Sequence, residues 1–128
     1  MENKEFKKVY LAIPYSQIDK DSSYRQANEA TCLIINDGYN VFSPITHSHP
    51  LTKCKAELRG DWEFWQHIDY QFLDWSDEMW VLIPEEGKEP VLKSIGVNAE
   101  IKYAEDKNIP IRYVKVENDK IVEYERQY

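Results

Sequence analysis

The sequence contains no long hydrophobic run, and no apolar stretch approaches the roughly 20 residues that span a bilayer. The charged and polar segment from Met1 to Lys8 is not typical of a secretory signal or of a membrane anchor. Internal repeats, low-complexity segments and flexible linkers are also lacking. These observations predict a soluble cytoplasmic protein that has no membrane partner.

Basic residues and cysteines are both scarce. Lys and Arg number 16 against 23 Asp and Glu, which gives a formal net charge of −7. Because no basic stripe is present, a nucleic-acid polymer is not an expected partner. Cys32 and Cys54 do not form a Cys-x-x-Cys pair. Cys32 falls on the apolar face of a predicted helix, where we expect a reduced core thiol.

The length of 128 residues suits a single domain with one core, and we assign residues 1–128 to it. Aromatic residues make up 13% of the chain, with four Trp and nine Tyr. Such side chains either line a pocket or an interface, or they fill the core. The composition alone leaves both readings open, and for most of these residues the core is favoured.

Four short apolar runs predict buried strands at residues 9–13, 39–43, 78–83 and 109–113. Helical spacing predicts a first helix capped by Ser22 or Ser23 and ended by Gly38, and further helices over residues 61–75 and 94–107. Residues 45–60 and 85–93 are expected to be loops. Residues 114–124 are typical of a hairpin that turns near Asn118 and Asp119.

The alternation of strands and helices predicts an α/β fold in which a parallel sheet of four to five strands is covered on both faces, with a C-terminal hairpin. Ligands of such sheets bind at the carboxyl ends of the strands. Four segments should therefore meet there: residues 14–16, residues 43–50 with Pro44, the loop after Ile83, and the helix start at Ser94.

Glu100 lies in the early turns of the last long predicted helix, after Ser94 and Gly96. Free N–H groups at a helix start favour an anion, and their field would help to keep Glu100 ionised. An ionised carboxylate that faces a sugar can attack its anomeric carbon. The alternative is an exposed glutamate that stabilises its own helix, and this segment alone favours that alternative.

Asp69 and Asp77 form a second candidate pair. They are eight residues apart, a little over two helical turns, so they could share a face. Two carboxyl groups of unequal burial can divide into an acid and an ion. Solvated acids at a helix end are the simpler interpretation of this pair by itself.

Several segments in a fixed order carry a family resemblance: residues 10–16 (YLAIPYS), Arg25 with Asn28, residues 38–45 (GYNVFSPI), Asp69 with Ser76-Asp77, and Ser94-x-Gly96-Val97-x-x-Glu100. Together they resemble the nucleoside 2-deoxyribosyltransferase-like superfamily, and within it the group called domain of unknown function 1937. The resemblance spans residues 9–113. It implies a flavodoxin-like or Rossmann-like three-layer sandwich.

The resemblance also implies an activity: cleavage or transfer at the N-glycosidic bond of a nucleoside or nucleoside monophosphate, without a cofactor. Glu100 would be the nucleophile that forms a glycosyl ester, and Asp69 the carboxylate near the sugar and the leaving base. Asp77 would be structural or would orient the nucleophile. Water as the acceptor gives hydrolysis, and a second base gives transfer.

Substrate-binding candidates follow from the same resemblance and from side-chain chemistry. Ser94 and the Gly96 backbone would face the 5′ end of the sugar or its phosphate, with Tyr15 and Ser16 lining the pocket. Trp62 could stack on a base. Arg25 could meet a phosphate, or it is a surface arginine.

His47 and His49 invite a metal interpretation, with Asp61 and His67 as conceivable further ligands, but hydrogen bonding in the pocket is favoured and no metal is expected. Two other functions stay open: a non-catalytic nucleotide-binding or sensing module, and an interaction protein without a ligand. Members of the superfamily usually pair, so a homodimer or higher homo-oligomer is expected, with the helix at residues 61–75 as the candidate interface.

Overall fold

The computed structural model describes residues 7–54 and 62–124. Along the chain, the strands and helices are β1 (Lys8–Ala12), α1 (Lys20–Asn36), β2 (Asn40–Phe42), α2 (Pro44–Ser48), a 3-10 turn (His49–Lys53), α3 (Trp62–Trp75), β3 (Glu78–Leu82), α4 (Glu89–Lys93), α5 (Ile95–Asp106), β4 (Ile111–Glu117) and β5 (Lys120–Glu123). Asp61, the predicted first residue of the third helix, lies outside the described residues. None of the described helices is long and apolar enough to cross a membrane.

The strands form one curled five-stranded sheet in the order β2-β1-β3-β4-β5. The pairs β1–β2, β1–β3 and β3–β4 are parallel, and β5 runs antiparallel to β4. This confirms an α/β protein with a mostly parallel sheet and a C-terminal hairpin. The fourth predicted strand and the first arm of the predicted hairpin are one continuous strand, β4.

Alternating side chains of β1 supply both hydrophobic cores, because successive residues of a strand point to opposite faces. Tyr10 and Ala12 pack in a cluster with residues of α3 and α5, including Leu73 and Ile101. Val9, Leu11 and Ile13 pack in the other cluster with α1, including Ala27 and Ile34. Helices therefore cover both faces of the sheet, as the sequence predicts.

The first helix begins earlier than predicted. Its N-cap is Asp19, whose carboxylate accepts a hydrogen bond from the Ser22 N–H at 2.9 Å. Ser23, one of the predicted caps, is buried and donates its hydroxyl to the Pro14 carbonyl at 2.8 Å. Cys32 is exposed, so the prediction of a core thiol is wrong.

Two segments that were predicted as loops contain helices. Ser43 caps α2, and Pro44 stands in its first turn, where a missing N–H costs nothing. The 3-10 turn His49–Lys53 follows directly. Proline in the first turn of α4 plays the same role after β3.

Turn chemistry is confirmed where the backbone takes left-handed angles. Asn118 and Asp119 have φ values of 52° and 63° at the tip of the β4–β5 hairpin, which suits a tight turn between twisted strands. Gly38 has a φ of 105° directly after α1, in the conformation that glycine adopts without steric cost.

Candidate active site

A cavity of about 950 Å³ opens at the carboxyl ends of β1 and β2. The segments after these strands form one part of its wall, α1 forms another, and α3 and the start of α5 complete it. This is the edge of the sheet where a ligand site is expected in a parallel fold. The loop after Ile83, also predicted to reach this site, does not line the cavity.

The buried part of the lining contains two carboxyl groups. Glu100 of α5 is 4% exposed and Asp69 of α3 is 6% exposed, and both line the cavity. The hydroxyl of Tyr10, from the middle of β1, donates a hydrogen bond of 2.6 Å to Oε2 of Glu100. Oδ1 of Asp69 is buried without any hydrogen-bond partner within the described part of the chain, so it is available to accept a hydrogen bond from a ligand.

Burial governs the ionisation of this pair. It raises the pKa of Asp69 to about 6, while hydrogen bonding with Glu100 and Tyr10 acts in the opposite direction. It also raises the pKa of Glu100 well above its usual range, and repulsion by Asp69 adds to the effect, which the Tyr10 hydrogen bond only partly offsets. Two close carboxyl groups in a poorly solvated site do not both ionise readily, so the pair keeps a proton to higher pH than two exposed carboxyl groups do.

The expectation that the helix field keeps Glu100 ionised is therefore wrong. Glu100 is the sixth residue of α5 (Ile95–Asp106), and the field of a helix terminus decays within the first turn. Desolvation is the larger effect at this position. In the free protein, Glu100 retains its proton more readily than an exposed glutamate does.

The start of α5 shapes the wall beside Glu100. Ser94 caps this helix by accepting a hydrogen bond from the Val97 N–H at 3.1 Å. A side chain at Gly96 would meet the Trp62 ring, since a Cβ built there lies 3.4 Å from Cε3 of Trp62. The indole of Trp62 therefore lies close to the helix at Gly96, at a distance that an alanine side chain would also accept.

A second wall carries a chain of three hydrogen-bonded side chains. The Tyr15 hydroxyl lies 2.7 Å from Nδ1 of His49, and Nε2 of His49 lies 3.1 Å from Oδ1 of Asp21. His49 is buried, whereas the Asp21 side chain is largely exposed. All three residues line the cavity.

Most of the predicted site residues line this one cavity. They are Tyr15, Ser16, Pro44, His49, Trp62, Asp69, Ser94, Gly96 and Glu100. The topology brings them together from four separate parts of the chain.

Asp77, Arg25 and His47 lie elsewhere. Asp77 precedes β3, at the opposite edge of the sheet, where its carboxylate accepts the Lys8 N–H at 2.9 Å. It cannot share a helix face with Asp69, because α3 ends at Trp75. These contacts favour its structural role.

Arg25 is exposed and forms two hydrogen bonds to Glu85, at 3.0 and 3.3 Å, which favours its reading as a surface arginine. His47 is also exposed, with its ring beside Phe42 and Nδ1 at 3.3 Å from the Ser48 hydroxyl. Among the described residues, no group of three His, Cys, Asp or Glu side chains could hold a metal ion. Asp61 lies outside that set.

Several residues of the site were not predicted from the sequence. Tyr10 sits inside an apolar run, and only its position opposite Glu100 gives its hydroxyl a role. Trp65 lines the cavity, as do Lys20, Lys53 and Glu63. The alternation of side chains along β1 was the one available signal for Tyr10, since it placed this residue on the face that α5 covers.

A buried amide joins two neighbouring parts of the structure. Gln26 of α1 is 4% exposed, and its Oε1 accepts the Glu85 N–H at 2.9 Å. Its Nε2 donates to the Ser22 hydroxyl and to Oε1 of Glu86, both at 3.0 Å. The loop that leads from β3 to α4 is thereby attached to the first turns of α1.

Comparison with known proteins identifies the family of the chain. No curated protein matches the chain. The family model of a domain of unknown function, DUF1937, matches residues 7–115. This region includes β1, the cavity and most of β4, and it covers most of the chain. The protein therefore belongs to the DUF1937 family.

Proposed function

We propose that the protein cleaves or transfers at the N-glycosidic bond of a nucleoside or nucleoside monophosphate through a covalent glycosyl-Glu100 intermediate. The observation that carries the proposal is the buried pair of Asp69 and Glu100 in the wall of a cavity of about 950 Å³. Most enzymes that cleave glycosidic bonds use a pair of carboxyl groups. A cavity of this size accommodates a sugar and a base together.

The reaction starts from the form of the Asp69 and Glu100 pair that holds one proton. When the proton lies on Asp69, Glu100 is an anion that can attack C1′ while Asp69 is an acid. The C1′–N bond breaks as the C1′–O bond to Glu100 forms, and the proton of Asp69 moves to the departing base. Asp69 is then ionised and can take a proton from water or from an incoming base that displaces Glu100.

The hydroxyl of Tyr10 supports this step by stabilising the ionised form of Glu100, since a hydrogen bond to a carboxylate lowers its pKa. The unpartnered oxygen of Asp69 is free to accept a hydrogen bond from a ligand. The Trp62 and Trp65 rings supply apolar surface on the same wall. These contacts suit a ligand with a polar sugar and a flat aromatic base.

We further infer a flavodoxin-like three-layer sandwich and membership of the nucleoside 2-deoxyribosyltransferase-like superfamily. The strand order β2-β1-β3-β4-β5 supports this classification, because a doubly wound flavodoxin-like sheet has the same order. The antiparallel β5 and the curl of the sheet are local departures from that architecture.

A second candidate function is a nucleotide-binding or sensing module without turnover. The raised pKa of Glu100 favours it, because a protonated carboxyl group is not a nucleophile. The two functions make different predictions for the same pair of proteins. In a sensor, wild type releases no base, while Glu100→Gln still binds the ligand.

The test of the enzyme is incubation with a panel of 2′-deoxynucleosides and their 5′-monophosphates, with free base measured by chromatography. Wild type should release base from at least one member. Glu100→Gln should lower the rate by about a thousandfold, because it removes the nucleophile. Glu105→Gln is the matched control, since Glu105 lies on the same helix and is exposed, and its rate should equal that of wild type.

The covalent intermediate has its own test. A 2′-fluoro-arabinosyl nucleoside slows both steps, since fluorine destabilises a transition state with oxocarbenium character. Intact-protein mass spectrometry should show wild type gaining the mass of the fluorosugar, and Glu100→Gln gaining none. Base release with inverted configuration and no adduct would contradict a glycosyl-Glu100 intermediate.

A further inference from the structure

The chain of Tyr15, His49 and Asp21 has no part in the bond-breaking step proposed above. It stands at the start of α1 and of the 3-10 turn, whereas Asp69 and Glu100 belong to α3 and α5. The ring of Tyr24 packs against the buried imidazole of His49 at a centroid distance of 4.6 Å. Contacts from three side chains therefore hold His49 in one orientation.

Asp21 determines which nitrogen of neutral His49 carries the proton. A carboxylate only accepts hydrogen bonds, so Nε2, 3.1 Å from Asp21, must be the nitrogen that bears hydrogen. Nδ1 is then a bare acceptor. Since Nδ1 of neutral His49 lies 2.7 Å from the Tyr15 hydroxyl, Tyr15 donates the hydrogen bond in this contact.

This arrangement leaves Tyr15 with acceptor capacity only. Burial, and then the charge of Asp21, raises the pKa of Tyr15, so the phenol keeps its proton. That single proton is directed at His49. The phenol oxygen therefore offers lone pairs to the cavity and no hydrogen, and it can bind a donor group of a ligand but not an oxo group.

The position of the chain indicates which part of a ligand it meets. α1 packs on one face of the sheet, and α3 and α5 pack on the other, so the cavity spans the edge of the sheet from one layer to the other. A base attached to a sugar at Glu100 and Asp69 meets the Tyr15 hydroxyl if it extends across this cavity toward the α1 side, which Tyr15 also lines.

We infer that Tyr15 is a specificity-determining residue that selects a nucleobase bearing an exocyclic amino group over the same base bearing an oxo group, with His49 and Asp21 as positioning residues. The identity of the ligand rests on the proposed function. The hydrogen-bond polarity of Tyr15 rests on the contacts alone.

The test uses Glu100→Gln, in which turnover is blocked, and measures affinities by titration calorimetry for two matched pairs. These are 2′-deoxyadenosine with 2′-deoxyinosine, and 2′-deoxycytidine with 2′-deoxyuridine. In at least one pair, the amino member should bind about tenfold more tightly, as expected for one hydrogen bond gained. Adding Tyr15→Phe should bring the affinity ratio of that pair close to one.

Two further variants distinguish a change in the hydrogen-bond direction of Tyr15 from a general structural defect. His49→Phe keeps an aromatic ring but releases the proton of Tyr15, so the ratio should move toward the oxo member. Tyr24→Phe removes a hydroxyl and keeps the ring beside His49, so the ratio should not change. A structural defect lowers both affinities of a pair together, whereas the inference concerns their ratio.

Equal affinities within both pairs, or no binding of any of the four nucleosides, would overturn the inference. So would an amino preference that survives Tyr15→Phe, even if wild type releases base. An amino preference that is lost in Tyr15→Phe supports the inference even if wild type releases no base. The outcome is thus separate from that of the proposed reaction.

Discussion

The hydroxyl of Tyr10, in the middle of β1, donates a hydrogen bond of 2.6 Å to Oε2 of Glu100 on α5. Ninety positions of sequence separate the two residues. The contact joins the central part of the sheet to the carboxyl group on which the proposed reaction depends. It also lowers the pKa of that group, against the larger effect of burial.

Tyr10→Phe should shift the pH dependence of base release. The hydrogen bond from Tyr10 lowers the pKa of Glu100, so its removal raises that pKa further and moves the acidic limb of the profile to higher pH. The loss of a partner for a buried carboxyl oxygen should also reduce the free energy of unfolding by about 1–3 kcal/mol. A profile that keeps its position while the rate falls would show that Tyr10 acts only on packing.

Asp69→Asn should stabilise the protein at neutral pH. The pKa of Asp69 is about 6 in the folded state against an ordinary 3.8, so the folded form holds the proton more tightly than the unfolded form. The contribution of Asp69 to the free energy of unfolding is greatest below pH ~4. It falls by about 2–3 kcal/mol as the pH rises through the folded pKa of about 6. Because asparagine does not ionise, Asp69→Asn does not lose this stability as the pH rises.

Urea unfolding at several pH values between 4 and 8 measures the effect. The free energy of unfolding of Asp69→Asn, relative to wild type, should increase from pH 4 to pH 7. Base release by the variant should fall at the same time, because the acid is missing. A stability difference that does not vary with pH would contradict the assigned titration.

Gly96→Ala should affect the ligand more than the fold. An added Cβ would lie 3.4 Å from the Trp62 ring, which is close to ordinary contact, and alanine favours a helix over glycine by up to about 1 kcal/mol. We expect a melting temperature equal to or above that of wild type, with weaker ligand binding because the methyl group occupies cavity wall beside Trp62. Calorimetric titration and thermal melting test the two halves independently.

Asp77→Ala should lower stability without a specific effect on catalysis. Its carboxylate accepts the Lys8 N–H, and its own N–H donates to the Lys8 carbonyl at 2.7 Å. Loss of the side-chain contact at the exposed start of β3 should cost about 1 kcal/mol. The rate of base release per folded molecule should match that of wild type at a temperature where both proteins are folded. A large fall in that rate would show that Asp77 takes part in catalysis.

Local patterns predicted much of the fold because local forces form its elements. Apolar runs ended by proline marked β1, β2 and β3, and the left-handed turn of Asn118 and Asp119 followed from residues that tolerate it. The N-cap of α1 was predicted wrongly because Asp19, Ser22 and Ser23 are all capping residue types. Only the structure shows that Ser23 donates its hydroxyl to Pro14 instead.

The candidate site was predicted less completely because its chemistry depends on distant contacts. Glu100 was predicted as the nucleophile through the family resemblance, but its protonation depends on burial and on Asp69, 31 positions earlier in the sequence. His49 and His47 could not be ranked by sequence. One is enclosed between Tyr15, Tyr24 and Asp21, whereas the other is exposed, and neighbours brought together by folding make that difference.

The amide of Gln26 has a mechanical consequence for the cavity. Lys20 and Asp21 form part of its wall at the beginning of α1, and the loop bound by Gln26 continues through α4 to Ser94. Displacing either segment away from the other requires breaking the hydrogen bonds of a buried amide. We therefore expect these two parts of the structure to move together.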